Sequence, residues 1–324
     1  MKAIQFKEYG GPDVLELIQT ETPQIKNDEV LIEVKAIGVN YADTARREGQ
    51  YVVPTNLPFI PGAEVAGVVS EVGADVPGIQ KGMRVVTLIE NGGYAEYAVA
   101  PAANLIPIPE KISFEKAVAL PLQGMTAYHI LKTMGRLENG ETVLVHAAAG
   151  GVGSLAVQLA KIFGAGKVIA TASNEEKLAF AQKMGADDLV NYSEDGWEEK
   201  IRNLTDGKGV DVALEMVGGD VFNKTVKCLA AFGRLVVYGT ASGDPAKFYP
   251  TNLMRRNQSV IGFFLPQIMK ETELFKSSLQ ELLTYVNKGE VELTIWGTYA
   301  LDEAAQVHQL LQGRKTKGKI VLIP

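Results

Sequence analysis

The residues of this chain best suited to chemistry run from Thr142 to Gly153. Thr142-Val143-Leu144-Val145-His146 reads as a strand and Ala147-Ala148-Ala149-Gly150-Gly151-Val152-Gly153 as a turn of small residues. Ser154 to Phe163 then reads as a helix ended by Gly164, with Leu155, Leu159 and Phe163 on one face. That order suits a dinucleotide. Small residues let the backbone turn tightly and approach a pyrophosphate, and Gly153 lets the helix pack close to the strand. The helix N-terminus offers N–H groups and a partial positive charge to the phosphates. A glycine triplet alone is weak evidence, but a strand before it, a helix after it and a second strand at Lys167 to Ala172 supply the context.

The end of that second strand bears on which dinucleotide is bound. NAD sites usually carry Asp or Glu about 20 residues after the turn, bonded to the ribose hydroxyls. Here Thr171-Ala172-Ser173-Asn174 contains no carboxylate. Ser173 offers a hydroxyl, and Lys177, one helical turn later, reads either as a phosphate contact or as a solvated lysine. Glu175 and Glu176 lie nearby and weigh the other way. The reading favours NADPH, whose additional phosphate a carboxylate would repel.

Other chemistries find little support. Cys228 is the only cysteine, which excludes a disulfide within the chain and a thiolate metal cluster. His129, His146 and His308 are far apart in sequence, and His146, ending a strand, reads as a packed polar core residue. No Ser-His-Asp set, carboxylate pair or Cys-His pair follows from spacing. The net charge is −6, and the densest basic stretch, Arg314 to Lys319, reads as a solvated surface or a phosphate contact. No basic face suggests nucleic acid. No basic-then-apolar leader begins the chain and no run of 18 uncharged apolar residues occurs, so a reducing cytoplasm is the expected compartment, without a membrane.

The elements that must position these residues fall into two textures. Residues 1–122 are rich in short β-branched runs (Glu29 to Val39, Val65 to Val72, Met83 to Ile89, Tyr94 to Val99) separated by Gly and Pro, as in an antiparallel barrel or sandwich. From Gln123 strands alternate with helices. After Lys167 to Ala172 comes a helix over Asn174 to Met184, with Ser173 and Glu176 as its capping box, then strands at Val210 to Met216, Arg234 to Tyr238 and Ser259 to Phe264. Such alternation predicts a parallel sheet covered by helices. From about Pro266 the texture changes again, with an amphipathic helix over Glu271 to Asn287 and a strand over Lys319 to Ile323. The expected domains of this α/β chain are 1–122, completed by 266–324, and 123–265.

Gly140-Glu141, Leu144, Ala148-Ala149-Gly150-Gly151, Gly153, Gln158 and Lys161 resemble, position by position, the signature of the quinone oxidoreductase and zeta-crystallin family, zinc-free members of the medium-chain dehydrogenase/reductase superfamily. Gly38 to Asp43, Pro61 to Val69 and Lys317 to Leu322 resemble the same family, so the likeness covers essentially the whole chain. It implies a GroES-like β-barrel catalytic domain, a doubly wound Rossmann domain, an active site in the cleft between them, and a homodimer formed through the Rossmann domains. It places Asn40 at the nicotinamide end and Thr126 near the phosphates or nicotinamide ribose. It puts Ala148, Gly150, Gly151, Val152 and Gly153 along the pyrophosphate, and Ser173, Lys177 and Tyr192 around the additional phosphate. Tyr238, Gly239, Phe263 and Phe264 flank the adenosine and nicotinamide ends, and Arg314 is a weaker carry-over.

Zinc-dependent members of the superfamily hold the metal with Cys, His and a third ligand. Asn40 and Ala63 stand at the first two positions here, and Glu64 alone does not make a site. Without a Lewis acid an alkoxide is poorly stabilised, whereas a quinone spreads the charge that arrives with a hydride. The resemblance therefore points to an NADPH-dependent quinone oxidoreductase. Asn40, Tyr41 and Tyr51 are its candidate catalytic residues, and the two tyrosines are the candidate pocket wall. Two alternatives stand beside it. One is reduction of a conjugated C=C in an enal, enone or enoyl thioester, for whose nucleotide tail Arg46-Arg47 could serve. The other is an NADPH-binding structural or regulatory protein with little turnover.

Overall fold

The computed structural model describes residues 1–324. In chain order the strands are β1 (Lys2–Gln5), β2 (Glu16–Gln19), β3 (Glu29–Val39), β4 (Glu64–Val72), β5 (Arg84–Leu88), β6 (Tyr97–Pro101), β7 (Ile106–Pro107), β8 (Thr142–Val145), β9 (Lys167–Ala172), β10 (Asp188–Asn191), β11 (Val210–Glu215), β12 (Leu229–Val237), β13 (Ser259–Gly262), β14 (Ile295–Ala300) and β15 (Lys319–Ile323). The helices are α1 (Tyr41–Arg47), α2 (Phe114–Ala117), α3 (Met125–His129), α4 (Gly151–Ile162), α5 (Glu175–Lys183), α6 (Trp197–Leu204), α7 (Gly219–Cys228), α8 (Leu265–Lys270), α9 (Thr272–Asn287) and α10 (Ala304–Gln312). None is long and apolar enough to cross a membrane.

Two compact units emerge: residues 1–122 with 294–324, and residues 123–293. The first is built on a seven-stranded sheet ordered β14-β15-β3-β4-β5-β7, with β6 also paired to β3. β3 is its spine, antiparallel to β4, β6 and β15. The β-branched content of these strands suits a pleated surface with a buried face, and Ile32, Ile37, Val65, Val69, Val85, Ile320 and Leu322 form its core. Gly67 lets β3 and β4 approach, since a Cβ there would run into the Glu33 carbonyl.

The second unit holds a six-stranded sheet ordered β10-β9-β8-β11-β12-β13, parallel at every ladder. The chain winds outward from β8 in one direction and from β11 in the other. The end of β8 is therefore the topological switch point, where open α/β sheets bind ligands. Leu144, Ile169, Val190, Trp197, Ile201, Phe222 and Leu235 pack beneath the sheet.

Two sequence expectations are corrected, and one strand is added. Residues 266–293 join the second unit, not the first. The apolar face of α9 lies on α3, where Ser278 Oγ and His129 Nε2 are 3.0 Å apart and Tyr128 donates to Glu281 at 2.5 Å. The cap of α5 is Asn174, not Ser173, because Asn174 Oδ1 accepts from Lys177 N at 2.9 Å. β10, which the periodicity did not reveal, extends the sheet beyond β9.

Candidate functional site

The glycine turn takes its shape from backbone bonds. Ala147 adopts a left-handed φ of 49°, and its carbonyl accepts from Gly150 N at 2.8 Å. Ala148 N donates to the Thr171 carbonyl at 3.0 Å, fastening the turn to β9. A Cβ on Gly153 would meet only backbone, with Ala148 Cα at 2.8 Å and the Ala147 carbonyl carbon at 2.9 Å. A Cβ on Gly151 would meet the side chain of Gln123, which lies against the turn. Gly150 caps α4 in an extended conformation, and no side-chain cap bonds the first turn of the helix, where free N–H groups favour an anion. Ala148 is buried and Val152 half-buried in the same turn, and Thr126 is buried on α3.

The remaining candidates of this unit follow the carboxyl ends of strands. Ser173 follows β9 and Tyr192 follows β10; the strands are in register there, with Asn191 opposite Ala172, and Tyr192 N donates to the Ala172 carbonyl at 3.1 Å. Ser173 and Tyr192 are thereby neighbours, and Lys177 lies in the first turn of α5. Tyr238 and Gly239 follow β12. Phe263 and Phe264 follow β13, with Phe263 N donating to the Val237 carbonyl at 2.8 Å. The sequence reading missed Glu215, the last residue of β11. Its Oε1 accepts from Val217 N at 2.7 Å and Gly218 N at 3.0 Å, which shapes the turn beside the switch point. Burial raises its pKa.

In the first unit the candidates sit on a buried polar network. Asn40 precedes α1 and is almost fully buried. Its amide nitrogen donates to Glu64 Oε1 at 2.7 Å and to the Gly38 carbonyl at 3.3 Å, while its Oδ1 accepts from Lys319 Nζ at 3.0 Å. Lys319 also pairs with Glu64, and Glu64 Oε2 accepts from Leu122 N at 3.0 Å. Asp43 accepts from Asn40 N at 2.9 Å and from the Tyr94 hydroxyl at 3.3 Å; burial pushes its pKa up to about 6. Tyr94 reaches His308, and His308 reaches Arg47. Both amide protons of Asn40 thus face protein acceptors. Tyr41 and Tyr51 are half-buried, and burial raises the pKa of each. Arg314, in a left-handed turn after α10, is close enough for its charge to oppose that rise at Tyr41.

Arg46 and Arg47, adjacent in sequence, part company. Arg47 is fully buried, bonded to Glu48, Gln312, His308 and the Gly10 carbonyl. Of the basic pair that could serve the enoyl-thioester alternative, only Arg46 is not buried.

A family model described as an alcohol dehydrogenase GroES-like domain matches residues 26–110, and one described as a zinc-binding dehydrogenase matches residues 151–283. Over the full chain the sequence is 36% identical to the quinone oxidoreductase of Pseudomonas aeruginosa, covering 99% of it, and 36% identical to that of Mus musculus, covering 98%. The Escherichia coli quinone oxidoreductase complexed with NADPH superposes with a TM-score of 0.95 at 34% identity, over 100% of both chains. The chain belongs to the quinone oxidoreductase family. Its fold pairs a GroES-like domain with a Rossmann-type domain. Zinc, implied by one family description, does not fit the residues present. No group of three or more His, Cys, Asp or Glu side chains is placed to hold a metal, and the cation against Glu64 is the ammonium of Lys319.

The three histidines are fully buried and hydrogen-bonded within the protein. His146 lies between the hydroxyls of Thr171 and Thr225 at 2.8 and 2.7 Å, and His129 lies between Thr133 and Ser278 at 2.8 and 3.0 Å. Burial lowers His129 and His146 to about 4 and, aided by Arg47, His308 to about 3, from 6.5. Below the unfolded pKa the unfolded chain binds protons that the folded chain refuses, so their stability is full above 6.5 and lost as pH falls toward 4. Asp43, raised to about 6, acts in the opposite sense: its contribution is present below the unfolded pKa and lost as pH rises through 6. Glu215, also raised by burial, acts in the same sense as Asp43, and the three histidines outweigh the two carboxyls. Urea midpoints should fall between about pH 7 and about pH 4.5, by several kcal/mol in stability; equal midpoints would contradict the buried neutral histidines.

Proposed function

We propose that the chain is an NADPH-dependent quinone oxidoreductase that works without zinc. The observation that carries the reading is the cradle at the carboxyl ends of β8, β9 and β10. There an α4 N-terminus without a side-chain cap stands beside Ser173 and Tyr192, with no carboxylate ending β9. Gly150, Gly151, Val152 and Gly153, with Ala148, hold the pyrophosphate, and Ser173, Lys177 and Tyr192 the additional phosphate. Thr126, Tyr238, Gly239, Phe263 and Phe264 border the rest of the cofactor, and Arg314 lies within electrostatic reach of Tyr41. When bound, NADPH supplies the hydride. Asn40, held by Lys319 and Glu64, fixes the start of α1, from which Tyr41 projects. Tyr41 and Tyr51 donate hydrogen bonds to the quinone oxygens, where the arriving charge is delocalised and weak donors suffice.

A second copy of the chain is the proposed partner. β13 pairs with β12 alone, leaving an open sheet edge in the second unit, and Tyr249 and Met254 on the segment leading to β13 are exposed. The same reading puts the protein in a reducing cytoplasm, in keeping with a lone cysteine that is buried and raised to about 12 by burial.

Cofactor choice tests the cradle. A charge-assisted phosphate contact contributes about 1.5–3 kcal/mol, so NADPH should bind roughly ten-fold to a hundred-fold tighter than NADH. Calorimetric dissociation constants decide it, and equal affinities or a preference for NADH would overturn the assignment of Ser173, Lys177 and Tyr192.

A further inference from the structure

Arg46 is unlike its neighbour in what holds it. Arg47 is neutralised by Glu48 inside the first unit, whereas the Arg46 guanidinium lies over two rings, 4.2 Å from the Tyr51 centroid and 5.5 Å from the Phe59 centroid. An ion pair would cancel its charge; a ring face holds the charge in place without cancelling it. The contact is electrostatically felt, since Arg46 lowers the Tyr51 pKa against the larger raising effect of burial. The residues after Tyr51 are apolar and open: Val52 is 75% exposed and Val53 41%. A fixed cation, an aromatic wall and adjacent apolar side chains together suit a flat aromatic molecule that carries a negative charge.

We propose that Arg46 is a specificity-determining residue that favours quinone acceptors bearing an ionised group, such as a carboxylate, a sulfonate or the phenolate of a hydroxyquinone. The proposal rests on the quinone reading and narrows its substrate class. The guanidinium, more weakly hydrated than an ammonium and with five N–H donors, is suited to a planar oxyanion at a half-buried position. Held on Tyr51, it meets the anionic substituent while the tyrosine meets the quinone oxygen.

The test compares naphthoquinone with naphthoquinone sulfonate in the wild type, Arg46→Gln and Arg46→Lys. The ratio of kcat/KM for the sulfonate to that for the neutral quinone should fall about ten-fold in Arg46→Gln, with part of it kept in Arg46→Lys. The wild-type ratio should also fall as salt rises, because the site is open to solvent. A structural role in holding Tyr51 would lower both rates together, and an unchanged ratio overturns the proposal. Binding of naphthalene sulfonate, followed by calorimetry, needs no turnover and should weaken about ten-fold in Arg46→Gln. If no quinone is reduced but this difference persists, the quinone reading fails and the anion site stands. Equal binding by both proteins sinks the anion site whatever the turnover.

Discussion

Gly153→Val should lose at least about a hundred-fold in NADPH affinity, together with roughly 1–3 kcal/mol of stability from overpacking. The added side chain would meet the Ala147 carbonyl and the Ala148 backbone, and none of those atoms belongs to a flexible side chain that could swing aside. The helix must therefore move away from the end of β8, taking with it the N–H groups proposed to receive the pyrophosphate. Gly151→Ala is the instructive comparison. Its methyl group would meet only the side chain of Gln123, which can rotate, so a loss of less than about ten-fold is expected. Calorimetry with NADPH on both variants, alongside urea unfolding, measures the order. If Gly151→Ala proved the more damaging, the close approach at Gly153 would not be what shapes the turn.

The second large effect concerns Glu64 and Lys319, both almost fully buried. Lys319→Met strands a carboxylate and Glu64→Leu strands an ammonium, and removing one member of a buried pair costs about 3–5 kcal/mol. The double variant Glu64→Leu/Lys319→Met removes both charges and should recover most of that loss, since apolar replacements of a whole buried pair are often neutral. A double-mutant cycle in urea gives the coupling energy directly, and simple additivity of the two losses would show that the pair is not a unit. Asn40 joins both partners, so the single variants should also loosen the start of α1.

What could be read from the sequence was local. Thr142 to Gly153 carries strand, turn and helix within a dozen positions, and the small residues required at the turn are themselves the signal. The absence of a carboxylate after Ala172 is equally local, and the structure sets Tyr192 beside Ser173 through strand pairing. Long-range partnerships were not legible. Glu64 and Lys319 are 255 positions apart, and each looks in isolation like a surface charge. Arg46 and Arg47 look alike in sequence, and only the packing of α1 against α10 separates a buried hub from a ring-bound cation. The amphipathic pattern of α9 announces a buried face without naming the surface that covers it, which is why residues 266–293 were expected in the wrong unit. Ser173 and Asn174 are both good caps, and a one-residue shift in the start of α5 decided between them.

The most direct measurement is the initial rate of NADPH oxidation with a small quinone, taken beside the rate of NADP reduction with primary alcohols, with and without a metal chelator. The account predicts quinone-dependent oxidation of NADPH that survives chelation and negligible alcohol oxidation, because Lys319, not a metal, is the cation against Glu64. Alcohol oxidation that a chelator abolishes, with no quinone-dependent rate, would contradict it.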